Sequence, residues 1–418
     1  MKPEPQSINR TCWPVVWLWI FSIAQYGYRY ILQVNDPRTS HLYGSTPGAL
    51  SALKYEIFIL FVFYASFRFW RRPVQLNQRY RTLLQITGIG LMALVAVLLV
   101  RMSTFPGELD ETLLCALQLI PWIMSVFFVP LVVEREHSIT QTLQTFERVS
   151  FWIVFPFWLA TVALAAFDIR YPALSYPGIL VRYGGIMDDP NGYACLCLLL
   201  LVLSVSIRAG TWKWRAATYV VMLLGTLSFS GYATGVLMCL CWLFVRLARP
   251  SAGLHLGLIG VGVACVATFS AISILATAVS TDEVVNAISS IYSAKSSSAR
   301  MHLSDLAPNG NVLEDASLME LLCGSGGFSE NFYWRVLANF GLTGLLAVVS
   351  IVLFWSYHAL WRIRQWRYSL GIWGLGVLIG SNGIAYLLVF PLSLIYWSAL
   401  SLLICAGESK TSIGQHNA

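Results

Sequence analysis

Residues 182–207 read RYGGIMDDPNGYACLCLLLLVLSVSI, and the character of the chain changes sharply within them. The second part, residues 191–207, has no charged side chain and is long enough to cross most of a bilayer as a helix. The first part holds an arginine, two aspartates, glycines and a proline, which are typical of a loop that ends at a helix start. The stretch therefore predicts a membrane span entered from a polar loop.

The composition of the whole chain agrees with this prediction. Of 418 residues, 57% are hydrophobic and 11% are charged. Soluble domains average about 45–50% apolar and about 25% charged residues, so the composition argues against a water-soluble fold. Twelve spans of about 20 residues would leave roughly 180 residues for loops and tails. The length therefore allows a polytopic membrane protein with one or two sizeable loops.

Apolar runs with few charges divide the chain into twelve candidate spans. We predict an all-α integral membrane fold with a single polytopic domain over residues 1–418. Residues 216–247 could instead form one long kinked helix that bends at Ser228, and the last two spans are separated only near residues 389–391. The candidate spans are residues 12–31, 50–69, 83–100, 111–133, 149–167, 191–207, 216–230, 231–247, 253–279, 331–355, 369–386 and 388–405.

Basic residues between the spans indicate the orientation of the chain. With the N-terminus in the cytoplasm, the inner segments hold 18 Lys and Arg residues and the outer segments hold 6. The positive-inside rule favours this arrangement. We predict N-in, C-in topology with two long loops on the outer side of the membrane, at residues 168–190 and 281–330. The formal net charge of +7 reflects this topology, so we expect no nucleic-acid partner.

Motifs for metals, nucleotides and cofactors are missing from the sequence. The nine cysteines form no CxxC pair and mostly lie in apolar runs, where cysteine acts as a small apolar residue. No Walker motif, GxGxxG, HExxH or GxSxG is present. We therefore expect no metal and no cofactor. Apart from Glu111 at the first position of one span, only Glu56 is a carboxylate within a predicted span, whereas ion-coupled transporters usually carry ionisable groups at membrane depth.

The loop before residue 191 combines features that favour anion binding. Pro190 is expected at a helix start with Asn191 in its first turn, where free backbone N–H groups attract anions. Arg182 comes shortly before this helix start, and Asp188 and Asp189 lie between them. We predict a phosphate-binding site here. The alternative is a tight turn with an arginine that reaches the headgroups.

Arg300 and His302 lie close together in the second long loop. An arginine can hold a phosphate, and a histidine titrates near neutral pH and can move a proton. The two residues therefore predict a second part of an anion-binding and proton-transfer site. A solvated loop histidine is the alternative.

A glycine-rich run after Cys323 leads to Glu330 and Asn331 at the start of an apolar helix. Glycines allow a backbone to approach a ligand closely, and Glu330 could accept a proton from a sugar hydroxyl. Arg335 lies a little over one turn further along. Because an arginine in hydrocarbon costs about 3 kcal/mol, we expect it to face a polar cavity or to reach outward. Ordinary N-capping would explain Glu330 equally well.

The order of these motifs resembles the bacterial O-antigen ligase and O-antigen polymerase superfamily. Its members are membrane glycosyltransferases that use undecaprenyl-diphosphate-linked saccharides at the periplasmic face. The similar features are about twelve spans, the glycine-rich D-P-N stretch at residues 184–191 and Ser-Phe-Ser-Gly at residues 228–231. A long loop with Arg300, followed by the glycine-rich helix start at residues 324–344, completes the resemblance.

This resemblance implies an integral-membrane (GT-C-like) glycosyltransferase architecture with the site under the large periplasmic loop, and neither a metal nor a nucleotide sugar. The substrates would be undecaprenyl-diphosphate-linked glycans as donor and acceptor, in the bacterial inner (cytoplasmic) membrane. By the same resemblance, the diphosphate would be bound by Arg182, Arg300 and Arg335, the base would be Glu330 or His302, and the glycan would be bound by Asp188, Asp189, Asn191 and Asn331.

Two departures from the ligase pattern favour the polymerase branch. Ligases typically have His-Asn where this chain has Glu330-Asn331, and an Arg after Ser where this chain has Gly231. We therefore predict a polymerase of O-antigen or a related surface polysaccharide, with a chain-length regulator as a further protein partner. A ligase that transfers the glycan to lipid A-core is one alternative. A lipid-linked sugar transporter, suggested by the break at Ser228, is the other.

Overall fold

The structure is a computed structural model of the whole chain. It describes residues 10–34, 48–71, 76, 78–104, 109–134, 137–167, 173–175, 181–187, 189–208, 210–247, 317–326, 331–366, 369–381 and 385–406. The predicted span at residues 253–279 lies outside these ranges, as does most of the predicted loop at residues 281–330.

Within the described residues the chain is almost entirely helical, apart from one short hairpin. Strands β1 (Ala173–Ser175) and β2 (Val181–Tyr183) pair antiparallel. The helices are α1 (Trp13–Val34), α2 (Gly48–Arg71), α3 (Gln78–Thr104), α4 (Leu109–Val132), α5 (Ile139–Ala166), α6 (Pro190–Ile207), α7 (Trp212–Gly225), α8 (Phe229–Leu247), α9 (Leu318–Cys323), α10 (Phe332–Trp366), α11 (Ser369–Gly380) and α12 (Leu392–Ala406).

Five of the described helices are long and apolar enough to cross a membrane: α3, α4, most of α5, α6 and residues Phe332–His358 of α10. Shorter apolar segments lie in α1, α8, α11 and α12. Large apolar side chains such as Leu60, Phe63, Ile89 and Leu346 are exposed on the outside of the bundle. Such a surface suits lipid better than water. The chain is therefore a helical membrane protein, as its composition predicts.

The predicted break at Ser228 is confirmed, because α7 ends at Gly225 and α8 begins at Phe229. Three predicted boundaries differ from the structure by six residues or more, and one of them is the end of α10, which lies at Trp366 and not at residue 355. Helix α5 begins at Ile139, ten residues before the predicted span, because its first turns are polar and an apolar run does not detect them. Helix α11 ends at Gly380, and residues 385–391 form a buried irregular turn although their sequence is apolar.

The core is centred on α6, whose residues from Tyr193 to Leu200 are buried on every side. Helices α5, α7, α8 and α11 pack around it, while α3 packs along α10 and α4 along α12. Buried polar side chains tie distant helices together. Trp19 Nε1 donates to Ser398 Oγ at 2.5 Å, and Trp355 Nε1 donates to Thr87 Oγ1 at 2.8 Å.

Candidate functional site

The start of α6 is a compact polar turn built by Asp189 and Pro190. Asp189 is the N-cap, and its two carboxylate oxygens accept hydrogen bonds from the backbone N–H groups of Asn191 (3.0 Å) and Gly192 (2.9 Å). Pro190 occupies the first helical position, where its missing N–H has no cost. The predicted helix start is therefore confirmed. Asp189 itself takes up two of the N–H groups that would otherwise attract an anion.

The two short motifs at residues 184–191 and 228–231 meet at this point. Ser228 Oγ donates to Asn191 Oδ1 at 2.7 Å, and Ser230 Oγ lies 3.4 Å from the same oxygen. Ser228 Oγ also accepts a hydrogen bond from the backbone N–H of Gly231 at 3.0 Å and so caps the start of α8. Tyr386, from the irregular turn after α11, donates from its hydroxyl to Ser230 Oγ at 3.3 Å. We call these five residues, Asp189, Asn191, Ser228, Ser230 and Tyr386, the Asn191 cluster.

A second polar group surrounds Arg335 in the first turns of α10. Arg335 Nη2 lies 3.4 Å from Glu111 Oε2 in the first turn of α4. Asn339 Nδ2 donates to the carbonyl of Arg335 at 2.8 Å, and Thr112 Oγ1 donates to Asn339 Oδ1 at 3.1 Å. We call these four residues the Arg335 cluster. The arginine therefore faces a carboxylate and not hydrocarbon, as its position in an apolar helix required.

Both clusters lie at one end of the helix bundle, which we call the site end. Helices α4, α6, α8 and α10 all begin there. The C-terminal end of α11 joins the clusters, since the carbonyl of Ser381 accepts from the N–H of Phe332 at 3.0 Å and Tyr386 follows shortly after. Asn331 lies at the same place and caps α10, accepting from the N–H groups of Tyr333 (2.9 Å) and Trp334 (3.2 Å).

The glycine-rich run before α10 packs against the backbone of α10 itself. Gly324 and Gly341 have φ angles of +86° and +61°, a region that L side chains rarely adopt. A Cβ on Gly324 would overlap the carbonyl of Ala338, and a Cβ on Gly341 would overlap the carbonyl of Leu322. Gly341 also breaks the helical geometry of α10. In the described residues, these glycines allow the end of α9 to pack closely against the break in α10.

The structure describes only some of the predicted site residues. Asp189, Asn191, Asn331 and Arg335 are described, and each takes part in a cap or cluster at the site end. Arg182 lies in β2, where its backbone pairs with Leu174. The remaining predicted site residues, Asp188, Arg300, His302 and Glu330, lie outside the described residues.

Several residues at the site end were not predicted as site residues, among them Glu111, Tyr386 and Arg101. Glu111 starts an apolar run on the same predicted side as Arg335, and that shared side is a signal that could have paired them. Tyr386 gave no signal, because its apolar surroundings read as the end of a span. Arg101, in the last turn of α3, is completely buried, and a buried arginine near a helix end is a functional candidate in a membrane protein.

These groups could bind a polar anionic ligand. The Arg335 cluster provides a buried cation whose carboxylate partner is partly exposed, and the Asn191 cluster provides hydroxyl and amide groups. Among the described residues, no three His, Cys, Asp or Glu side chains are grouped so that they could hold a metal ion. Fold and clusters together define a polytopic helical membrane protein with these two polar clusters at one end.

Comparisons with known proteins add no relative to this description. No protein-family model, curated protein or solved structure matches the chain. The function is therefore inferred from the residues at the site end.

Proposed function

We propose that this chain is a polysaccharide polymerase of the bacterial inner membrane. It would join undecaprenyl-diphosphate-linked repeat units of O-antigen or a related surface polysaccharide at the periplasmic face. The proposal includes about twelve spans in N-in, C-in orientation and a GT-C-like architecture with the site end in the periplasm. The positive-inside distribution of Lys and Arg supports that orientation.

The observation that carries the proposal is the hydrogen bond of 2.7 Å between Ser228 Oγ and Asn191 Oδ1. It joins the two short motifs on which the family resemblance depends, although they are separated by 37 positions in the chain. The contact places both motifs in one polar cluster at the starts of α6 and α8. The third motif, residues 324–344, includes Asn331, which lies at the same end of the bundle.

In the proposed reaction, an acceptor sugar hydroxyl attacks the anomeric carbon of the donor. A new C–O bond forms while the bond from that carbon to the diphosphate oxygen breaks, and the lipid diphosphate leaves with the electron pair. The hydroxyl proton passes to Glu330 or His302 as the base, which gives an inverting transfer. Arg182, Arg300 and Arg335 stabilise the growing negative charge on the leaving group, a task for which the guanidinium suits two oxygens at once.

The ion pair with Glu111 explains how Arg335 can bind the diphosphate. A diphosphate can replace Glu111 as the partner of Arg335, because the carboxylate is partly exposed and the pair is separated by 3.4 Å. In the absence of substrate, Glu111 keeps the buried arginine neutralised, which avoids the cost of a lone charge.

The glycan-binding residues have restricted roles. Asp189 and Asn331 use side-chain oxygens as helix caps, so they shape the site as well as lining it. Asn191 Oδ1 accepts from Ser228, so hydrogen bonds from Asn191 to a sugar would come from Nδ2. Asp188 is the other carboxylate proposed to bind sugar hydroxyls.

The test is complementation of a deletion strain with the wild type, Arg182→Ala or Arg300→Ala. Polymer length and the lipid-linked glycan pool are measured together. The proposal expects long chains from the wild type and single repeat units from both variants. Long lipid-linked chains that never reach their final acceptor would identify a ligase. Unreacted lipid-linked units on the cytoplasmic face would identify a transporter and would contradict the proposed site.

A further inference from the structure

A second polar region lies at the bundle end opposite to the site end, between the start of α1, the end of α2 and the α4–α5 connection. It contains a cavity of about 390 Å³. The polar side chains that line it include Arg10, Arg68, Glu134, His137 and Gln141. The volume falls within the range of about 300–1,000 Å³ that is typical of small-molecule sites.

The walls of this cavity are held in place by hydrogen bonds between separate parts of the chain. The backbone N–H of Ser138 donates to the carbonyl of Arg10 at 2.7 Å, and the N–H of Cys12 donates to Thr142 Oγ1 at 2.9 Å. The residues before α1 are therefore attached to the start of α5. The backbone N–H of Glu134 donates to Nδ1 of His137 at 2.7 Å, which leaves Nε2 as the protonated nitrogen of the neutral ring.

Two guanidinium groups and one carboxylate line the cavity among the residues that the structure describes. Arg68 pairs with Glu134, and Arg10 supplies the second guanidinium. Gln141 and Nε2 of His137 supply further polar groups. Arginine is the side chain best suited to phosphate oxygens, because its planar group can donate two parallel hydrogen bonds. The lining therefore favours a phosphate group.

An exposed row of aromatic rings continues from the cavity along α1. Trp13 lines the cavity, and Trp17 and Phe21 follow it on the same helix face at intervals of four residues. The ring centroids are 5.8 Å apart for Trp13 and Trp17 and 5.3 Å apart for Trp17 and Phe21. The three side chains are 47%, 47% and 50% exposed. A soluble phosphate would make no contact with the rings beyond the cavity, whereas an acyl chain would pack along all three of them.

We propose that this cavity binds the phosphate of an anionic glycerophospholipid, with one acyl chain along the row of Trp13, Trp17 and Phe21. Cavity and row together match the two halves of such a lipid. Basic pockets between helices at the membrane surface are a general means of binding anionic headgroups. The lipid would fasten α1 and α2 to the α4–α5 connection. The site is separate from the polymerase chemistry proposed above and does not depend on it.

The test measures lipid binding to the purified full-length protein by native mass spectrometry. Phosphatidylglycerol and phosphatidylcholine with identical acyl chains are titrated, with inorganic phosphate as a competitor. The variants are Arg10→Gln and Trp17→Ala, and both residues are exposed at this site. Arg81→Gln and Trp152→Ala change exposed residues elsewhere and serve as matched controls. The melting temperature of each variant verifies that it folds.

We expect the wild type to prefer phosphatidylglycerol. Arg10→Gln should weaken its binding about fivefold, as loss of about 1 kcal/mol per basic residue at a membrane surface predicts. Trp17→Ala should weaken the binding of both lipids, and the control variants should have no effect. Equal binding of the two lipids, or full binding by Arg10→Gln, would overturn the proposal. Displacement by inorganic phosphate, with Trp17→Ala having no effect, would replace it with a site for a soluble anion.

Discussion

The two ion pairs Arg215–Glu147 and Arg335–Glu111 use the same chemistry in opposite ways. Arg215 Nε lies 2.8 Å from Glu147 Oε1, and the two side chains are 7% and 2% exposed. Arg335 Nη2 lies 3.4 Å from Glu111 Oε2, and the side chains are 8% and 43% exposed. Both arginines are buried to the same extent. The pairs differ in whether the carboxylate is also buried.

The neighbours of the first pair complete its enclosure. Tyr219 donates from its hydroxyl to Glu147 Oε1 at 3.3 Å, and Arg215 Nη1 donates to Thr211 Oγ1 at 3.0 Å. Every one of these groups comes from α5, α7 or the residue before α7, so the pair fastens two helices together. The comparison teaches that a buried arginine is available to a ligand only where its partner can be replaced. That condition is met at Arg335 and not at Arg215.

The largest difference between the pairs should appear in stability. Glu147→Ala removes the carboxylate that faces the buried Arg215, and breaking a buried pair in this way costs about 3–5 kcal/mol. Glu111→Ala should cost less, about 1–3 kcal/mol, because water already screens the partly exposed carboxylate, although the guanidinium that loses it is buried. Thermal unfolding of the two purified variants in the same detergent measures both values. Equal losses of stability would show that the two pairs do not differ as their exposures indicate.

For activity we expect the opposite ranking, in which the pair of Arg335 matters more than the pair of Arg215. Arg335→Ala is expected to lower glycan elongation about 100-fold, the usual effect of removing one donor that stabilises transition-state charge. Arg335→Lys should recover only part of the activity, since lysine cannot donate in the same forked geometry. Arg81→Ala, at an exposed position on α3, is the matched control and should keep full activity. Full activity of Arg335→Ala would remove this residue from the diphosphate site.

The Asn191 cluster should respond more weakly than either pair. Ser228→Ala removes both the cap of α8 and the hydrogen bond to Asn191, and we expect it to cost about 1–2 kcal/mol of stability. Ser230→Ala should cost less, because its oxygen lies 3.4 Å from Asn191 Oδ1 and makes no cap in the described structure. Chemical denaturation of both variants checks this order. A larger loss for Ser230→Ala would mean that Ser228 does not join the motifs.

The smallest effect concerns Glu320, a carboxylate stabilised by a backbone N–H group. In α9, the N–H of Ser317 donates to Glu320 Oε2 at 2.8 Å, and this hydrogen bond lowers the pKa of Glu320. A lowered pKa stabilises the folded helix above the ordinary glutamate value of about 4.3. That contribution is lost as the pH falls through the lowered value. Hydrogen-exchange protection of α9 should therefore decrease in acid in the wild type and not in Glu320→Gln.

The sequence predicts helices well where a helix is an uninterrupted apolar run. Helix α6 begins at Pro190, within one residue of the predicted span, because a proline and an aspartate stand immediately before the run. The polar first turns of α5 were missed because hydropathy alone does not separate a polar helix from a loop. The turn that holds Tyr386 was missed for the opposite reason, since a buried irregular turn is as apolar as a span.

The site is less predictable than the helices because its contacts join distant parts of the chain. The cap at Asp189 is local and follows from helix-start signals. The pair of Arg335 with Glu111 connects residues 224 positions apart, and the only signal for it is that both residues lie on the same predicted side of the membrane. Such pairs depend on the order in which helices pack, and a hydropathy pattern contains little information on that order.

The central claim is that the site end elongates lipid-linked glycans, and reconstitution tests it most directly. The purified wild type and Arg335→Ala are placed in lipid nanodiscs with undecaprenyl-diphosphate-linked repeat units extracted from the native host, and chain length is followed over time. We expect polymers from the wild type and single repeat units from Arg335→Ala. Folded wild-type protein that leaves every repeat unit unjoined would contradict the claim.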